Sequence, residues 1–216
     1  LSPRADRPFV HVDCAALPKD LIEAELFGHV KGAFTHAVSE RTGLIEAAED
    51  GVVFLDEIGE IPLELQAKLL AVLERRTLRR IGSSQERLTE AWFIAATNRN
   101  VQAMVEAGAL RSDLYYRLNV LTISLPPLRE REDDALELAC IFTADVARRY
   151  GLNHVSFDAD AEHAIRTYQW PGNVRELSHV IERAALLSAD GVITSAALAL
   201  TPQHDAARSS PGQVDF

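Results

Sequence analysis

The segment Gly51-Val-Val-Phe-Leu-Asp-Glu57 constrains the fold more than any other in the chain. Val52 to Leu55 are apolar, and two adjacent carboxylates, Asp56 and Glu57, follow at once. A short, β-branched apolar run after a glycine reads as a strand buried on both faces, hence central in a parallel sheet. Acids at the carboxyl end of such a strand stand in the crevice where open α/β sheets bind ligands. An Asp there can help hold a divalent cation, and a neighbouring Glu can polarise an attacking water. On these residues alone, a core strand ending in a solvated turn is the alternative.

The flanking pattern alternates strand and helix. Phe9 to Cys14 reads as a strand ending at Asp13, and Pro18 opens a helix over 19–27 with Leu21, Ile22 and Leu26 at helical spacing. Residues 28–37, Gly-His-Val-Lys-Gly-Ala-Phe-Thr-His-Ala, have no periodicity and read as a loop with Phe34 near its middle. A short helix over 43–49 leads into the Gly51 strand. Residues 61–76 form an amphipathic helix with Leu65, Leu69, Val72 and Leu73 on one face and Pro62 at its start. Residues 78–88 predict a hairpin turning at Gly82-Ser83-Ser84. A second buried strand covers Ala91 to Asn98, helices follow at 101–107 and 112–118, and Val120 to Leu125 predicts a further strand stopped by Pro126-Pro127. From Arg129 onward there is no strand signal; helices are expected over 134–150, 159–168 and 174–189. The expectation is an α/β core over 1–128, a small helical subdomain over 129–191 and a flexible tail over 192–216.

With 216 residues the chain can bury a sizeable core without metal or disulfide staples. Cys14 and Cys140 form no CxxC and read as reduced thiols, no apolar run approaches a membrane span, and a cytoplasmic location follows. The formal charge of −10 argues against broad phosphate-backbone binding, so no direct DNA contact is expected.

Several polar residues fall where chemistry would need them. Thr97-Asn98 closes a strand beside the expected exit of Asp56-Glu57, where Asn98 could orient a water or phosphate oxygen or simply form an Asx turn. Arg111 and Arg117 lie six apart on one short helix, either serving a neighbouring subunit's phosphate or forming a solvated face. Arg175, after Trp170-Pro171-Gly172-Asn173, could reach phosphate or pair with Glu176.

Taken in order, these motifs resemble the AAA+ domain of bacterial sigma-54-dependent transcriptional activators, the enhancer-binding proteins, from about Pro8 to Leu187. Glu25-Leu26-Phe27-Gly28 followed by Gly32-Ala33-Phe34-Thr35-His36-Ala37 resembles the family's GAFTGA loop. Phe54-Leu55-Asp56-Glu57-Ile58 resembles its Walker B strand, and Ala95-Ala96-Thr97-Asn98-Arg99 its sensor I. Residues 111–118 resemble the segment with two arginine fingers, 126–131 the lid entry, and 170–177 sensor II. The phrase Glu-Leu-Phe-Gly-His-Val-Lys-Gly leans towards the nitric-oxide-responsive and nitrogen-regulatory branches.

The resemblance implies a P-loop NTPase-like parallel sheet with a helical lid, assembled into a ring, usually a hexamer, with ATP between subunits. Asp56 would hold Mg2+, Glu57 would activate water, Asn98 would sense the γ-phosphate with Thr97 beside it in the nucleotide site, and Arg175 would contact the nucleotide from the lid. Arg111 and Arg117 would act on the adjacent subunit's ATP. Gly32, Ala33, Phe34, Thr35, His36 and Ala37 would press on sigma-54 in the RNA polymerase holoenzyme and remodel the closed complex.

Three departures from the family pattern carry expectations. No Gly-Lys pair occurs in the chain, so the phosphate-cradling G-x-x-x-x-G-K-[ST] loop is missing. That motif precedes the segment resembling Leu1–Pro8, so the chain is expected to be a fragment or truncated product that binds ATP poorly alone. His36 replaces a loop Gly, which is expected to weaken sigma-54 engagement. Asp13 replaces an Asn and is expected to repel Glu57. Two other functions stay open: a nucleotide-free AAA+ module acting only as a protein-interaction domain, and a metal-dependent hydrolase using His11, His29 or His36 with Asp56, whose spacing fits no standard ligand motif.

Overall fold

The computed structural model describes residues 2–18, 20–35, 37–131, 133–188 and 190–200. They form two compact units, divided between Ile123 and Ser124.

The first unit is built on three parallel strands. In chain order its elements are β1 (Phe9–Asp13), α1 (Ile22–Phe27), β2 (Gly28–His29), β3 (Arg41–Thr42), α2 (Leu44–Ala47), β4 (Val52–Asp56), α3 (Leu63–Arg75), β5 (Thr77–Arg79), β6 (Glu86–Leu88), β7 (Trp92–Ala95), α4 (Val101–Glu106) and α5 (Ser112–Leu118). The sheet order is β1-β4-β7, so the Gly51 segment supplies the central strand. Gly51 is needed there because a Cβ would stand 2.0 Å from the Pro8 carbonyl oxygen.

Val53 and Leu55 are fully buried, and α3 covers them with Leu65, Leu69, Val72 and Leu73 in one continuous core. The opposite sheet face is only partly covered, contrary to the expectation of burial on both sides. There Phe54 lies against Phe9 (ring centroids 6.1 Å apart) and His11 (5.3 Å), while Trp92 and Ile94 are about half exposed.

The expected strand at Val120–Leu125 does not form. β7 is an edge strand, and Val120, Leu121, Ile123 and Leu125 are strongly exposed. A strand is stabilised by its neighbours; among the described residues no strand pairs with this stretch. The loop region, by contrast, is more ordered than its composition suggests. β2 and β3 pair antiparallel, Gly28 opposite Thr42 and His29 opposite Arg41, so residues 30–40 top a short hairpin. Gly28 (φ +75°) makes this close approach possible, because a Cβ there would stand 2.5 Å from the backbone of both Arg41 and Gly43. The expected β5–β6 hairpin forms with Thr77 opposite Leu88.

The second unit comprises α6 (Asp134–Tyr150), β8 (Ser156–Phe157), α7 (Ala159–Thr167), α8 (Asn173–Leu187), β9 (Val192–Ile193) and α9 (Ser195–Leu198). Its core joins Ala135, Ala139 and Val146 of α6 with Ile165 of α7 and Leu177, Ile181 and Ala184 of α8. Small residues at these positions let helix axes approach closely. Two differences from expectation stand out. β8 and β9 pair in parallel, and residues 192–198 are not a tail: Ile193 and Leu198 are fully buried in this core. Two apolar anchors in a short segment suffice to seat it. Residues 201–216, where a flexible tail is expected, lie outside the described residues. No described helix is long and apolar enough to cross a membrane.

Candidate functional site

The parallel register brings the polar ends of three strands together. Asp13 sits opposite Asp56, and Leu55 opposite Ala95. The ladder runs one step further on each side: the Cys14 N–H donates to the Asp56 carbonyl (3.0 Å), and the Ala96 N–H to the Leu55 carbonyl (2.9 Å). Asp56, Glu57, Thr97 and Asn98 therefore emerge at one edge of the sheet, as their strand-terminal positions predict.

Asp56 is a half-exposed carboxylate. Its Oδ1 accepts the Glu57 N–H (3.1 Å) and its Oδ2 lies 3.5 Å from His11 Nε2. Glu57 takes left-handed backbone angles (φ 53°, ψ 51°), unusual for a residue with a side chain. The chain is forced into that turn because Ile58 must donate its N–H to the Ala96 carbonyl (3.0 Å) and bury its side chain. Glu57 Oε2 then sits 3.5 Å from the Asn98 backbone nitrogen, a long contact linking the expected water-activating acid to the expected γ-phosphate sensor. Thr97 Oγ1 accepts the Arg99 N–H (3.1 Å), closing an ST turn after β7.

The Asp13 carboxylate is engaged by the turn that follows it. Its Oδ1 accepts the N–H groups of Ala15 (3.0 Å) and Ala16 (3.1 Å), so its charge is held by its own turn. Beside it the Cys14 thiol is pushed up to about 12, by burial first and then by Asp13, Asp56 and Glu57. Cys14 is therefore a protonated core thiol rather than a nucleophile.

The two arginines on α5 have different fates. Arg111 precedes the first turn of the helix and forks onto Asp113 (Nε–Oδ1 3.0 Å, Nη2–Oδ2 2.7 Å), which raises the arginine's pKa and lowers the aspartate's. Arg117 reaches the Leu73 carbonyl at the end of α3 (3.0 Å). Behind them lies a residue that sequence reasoning missed. Gln66 is fully buried, donates to the carbonyls of Ile61 and Ala109 (both 2.9 Å), and accepts the Arg111 N–H (2.9 Å). It ties the arginine-bearing segment to α3, and its one outward sign is a polar residue beside the apolar face of an amphipathic helix.

Phe34 lies on the hairpin, 38% exposed, with its ring 5.0 Å from His29. The Gly32 N–H donates to the Ala37 carbonyl (2.8 Å) and the Ala37 N–H to the Phe34 carbonyl (2.9 Å), which closes the loop. His36 lies outside the described residues. The hairpin base is fixed by a second unforeseen group: Arg80, 8% exposed, forks onto Glu46 of α2 (2.8 and 2.9 Å) and reaches Thr42 of β3 (3.1 Å). Arg87 adds a further bond to Glu46 (2.9 Å). Such a contact between positions 34 apart leaves no local trace in the sequence.

In the second unit, Arg175 occupies the first turn of α8 with its side chain exposed. The turn before it is strained: Trp170 (φ 45°) and Asn173 (φ 52°) both take left-handed angles. Trp170 is buried and donates from Nε1 to the Ile165 carbonyl (2.8 Å), while Asn173 Oδ1 accepts the Leu128 N–H (2.8 Å). Glu176 turns back to the Gly172 N–H (2.8 Å) rather than pairing with Arg175.

No group of three His, Cys, Asp or Glu able to hold a metal ion occurs among the described residues, and His29 packs on Phe34 while His11 approaches Asp56. Mg2+ does not need such a cage, since it is held by one or two carboxylates together with substrate phosphates. The all-oxygen donors at the strand ends suit that hard cation.

Residues 1–124 match the family model of the sigma-54 interaction domain, and residues 129–214 that of the AAA+ ATPase lid domain. The nitric oxide reductase transcription regulator NorR2 of Cupriavidus necator is 52% identical over 185 residues, 86% of this chain and 36% of that protein. The Nif-specific regulatory protein of Azotobacter vinelandii is 50% identical over 200 residues, 93% of this chain and 38% of that protein. The crystal structure of NtrX from Brucella abortus in complex with ATP superposes with a TM-score of 0.82 at 30% identity, covering 90% of this chain and 43% of that one. The chain thus spans little more than a third of the relatives' length. With its parallel strands, its hairpin loop and its helical second unit, the chain belongs to the sigma-54 interaction domain family of AAA+ proteins.

Proposed function

We propose that this chain is the sigma-54-contacting core of a transcriptional activator, coupling ATP hydrolysis to remodelling of the closed complex of sigma-54 RNA polymerase. One observation carries the reading: Asp56, Glu57, Thr97 and Asn98 end neighbouring parallel strands in a chain that also presents Phe34 on a braced hairpin. Asp56 would hold Mg2+, whose charge offsets that of the phosphates. Glu57 would take the proton of the attacking water, while Thr97 and Asn98 orient the terminal phosphate. Arg175 would contact the nucleotide from the lid. Arg111 and Arg117 would serve the nucleotide of the next subunit in a hexameric ring, which makes turnover depend on assembly.

The loop Gly32, Ala33, Phe34, Thr35, His36 and Ala37 would bear on sigma-54. A half-exposed aromatic ring can bury on a protein partner, and the net charge of −10 favours such a partner over a phosphate backbone. The nucleotide reading leans on NtrX having been solved with ATP.

The test joins a P-loop-bearing segment ahead of Leu1 and measures ATP turnover and sigma-54 co-sedimentation. Glu57→Gln is expected to slow hydrolysis by about 100-fold or more, and Arg111→Ala to slow it only in the assembled ring. Phe34→Ala should abolish sigma-54 capture while leaving turnover in place. Undiminished hydrolysis in Glu57→Gln would overturn the catalytic reading. Sigma-54 capture without any ATP binding would show an interaction module instead.

A further inference from the structure

Among the described residues, one buried side-chain polar atom has no hydrogen-bond partner: Nδ1 of His29. His29 ends β2, sits opposite Arg41 in the hairpin, and bridges in parallel to Ile81. The loop it supports rests on the turn after Ile81, where a Cβ on Gly82 would come within 2.9 Å of the Ala33 methyl. The imidazole meets the Phe34 ring edge-on, with centroids 5.0 Å apart and planes at 60°.

Two opposing effects meet in that one side chain. The edge-to-face contact favours the loop with Phe34 laid against the hairpin. The orphaned Nδ1 disfavours the same arrangement, because a buried polar atom without a partner gives up its hydration. A phenyl ring at position 29 would keep the first effect and lack the second. An alanine would lack both.

We propose that His29 is a positioning residue for Phe34: its ring holds the aromatic tip in place, and its unpartnered nitrogen keeps that hold weak enough for the tip to leave. When Phe34 lifts away, Nδ1 is hydrated, so release is favoured by an atom that plays no part in contacting the partner. This rests on the reading of Phe34 as the partner-contacting residue. It adds that the loop is poised between two arrangements by the residue beneath it.

The experiment places 4-fluorophenylalanine at position 34 of the 216-residue chain and follows its 19F resonance. His29→Phe should move the resonance towards the held position, lowering the released-to-held ratio by about fivefold or more, the low end of what an unsatisfied buried group imposes. Should the larger ring not fit, His29→Leu, which packs an apolar side chain without the orphaned nitrogen, takes its place and should likewise sit nearer the held position than His29→Ala. His29→Ala, which has nothing to lay against the tip, should leave the resonance nearer that of the free amino acid than His29→Phe does. A resonance in His29→Ala lying as far towards the held position as in His29→Phe would overturn the proposal, as would an unchanged resonance in His29→Phe. Sigma-54 affinity measured on the same variants separates the two ideas. Ordered 19F shifts without a matching order of affinity would sink Phe34 as the contact while leaving the role of His29 standing.

Discussion

Replacing Gln66 by Leu tests how the arginine-bearing segment is held. The side chain is fully buried and makes three hydrogen bonds, to the Ile61 and Ala109 carbonyls and from the Arg111 N–H. The three losses are unequal. Ile61 is buried, so its carbonyl is left without a partner, at about 1–3 kcal/mol. Ala109 and Arg111 lie on an exposed segment where water can replace Gln66, so each costs only the net value of a hydrogen bond, about 1 kcal/mol. The leucine is more apolar, and its better burial returns roughly 1 kcal/mol. The expected destabilisation is therefore about 2–4 kcal/mol, most of it local.

Amide hydrogen exchange reads this site by site. In Gln66→Leu the Arg111 amide should exchange faster by about 30-fold or more, since 1.4 kcal/mol is tenfold. The Val53 amide, in the central strand, should accelerate far less. Equal acceleration at both would mean that Gln66 only supports the global fold, and a change below about 0.5 kcal/mol at Arg111 would refute its tethering role altogether.

Two further outcomes follow from the same reasoning. Arg80, first by its hydrogen bonds and then by its charge, together with Arg87, holds the Glu46 carboxyl below the usual carboxylate range; a depressed folded-state pKa stabilises above the unfolded value of about 4.3 and ceases to do so as pH falls through the folded one. Urea midpoints of the chain should therefore fall on acidification below about pH 5, and Glu46→Gln should be less stable at neutral pH with a flatter acid limb; an unchanged limb would remove the pair from the account. At Asn173, Ala forfeits both the Leu128 bond and the residue type that best tolerates φ 52°, Gly forfeits only the bond, and Asp keeps the acceptor, so stability in a Trp170-monitored melt should rank Ala lowest, about 2–4 kcal/mol down, then Gly, then Asp; Gly at or below Ala would contradict the strain.

The sequence made the sheet legible where physics is local. Val52 to Leu55 and the stripe of Leu65, Leu69, Val72 and Leu73 declare a strand and a helix through periodicity alone, and the strands' polar tips then fall together by register. Val120 to Leu125 carries the same apolar signal yet stays unpaired and exposed, because a strand exists only beside another. The two-residue strands at Gly28 and Arg41 were invisible for the opposite reason: their pairing depends on a distant Arg80–Glu46 contact and on close glycine approach, neither of which leaves a pattern. The left-handed turn at Glu57 escaped notice because that residue type does not announce positive φ, and Asn173, whose type merely tolerates it, does not declare it either; tertiary bonds from Ile58 and Leu128 select it.

Asp56 and Glu57 are chain neighbours on unequal mechanical footings. The backbone of Asp56 is pinned by the ladder, whereas Glu57 perches in a contorted rung whose relaxation would release roughly 1–2 kcal/mol. A twist confined to one residue can thus swing the outer carboxylate while the inner one stays fixed to the sheet. Any event that loosens the Ile58–Ala96 clasp becomes a throw-switch for the outer acid.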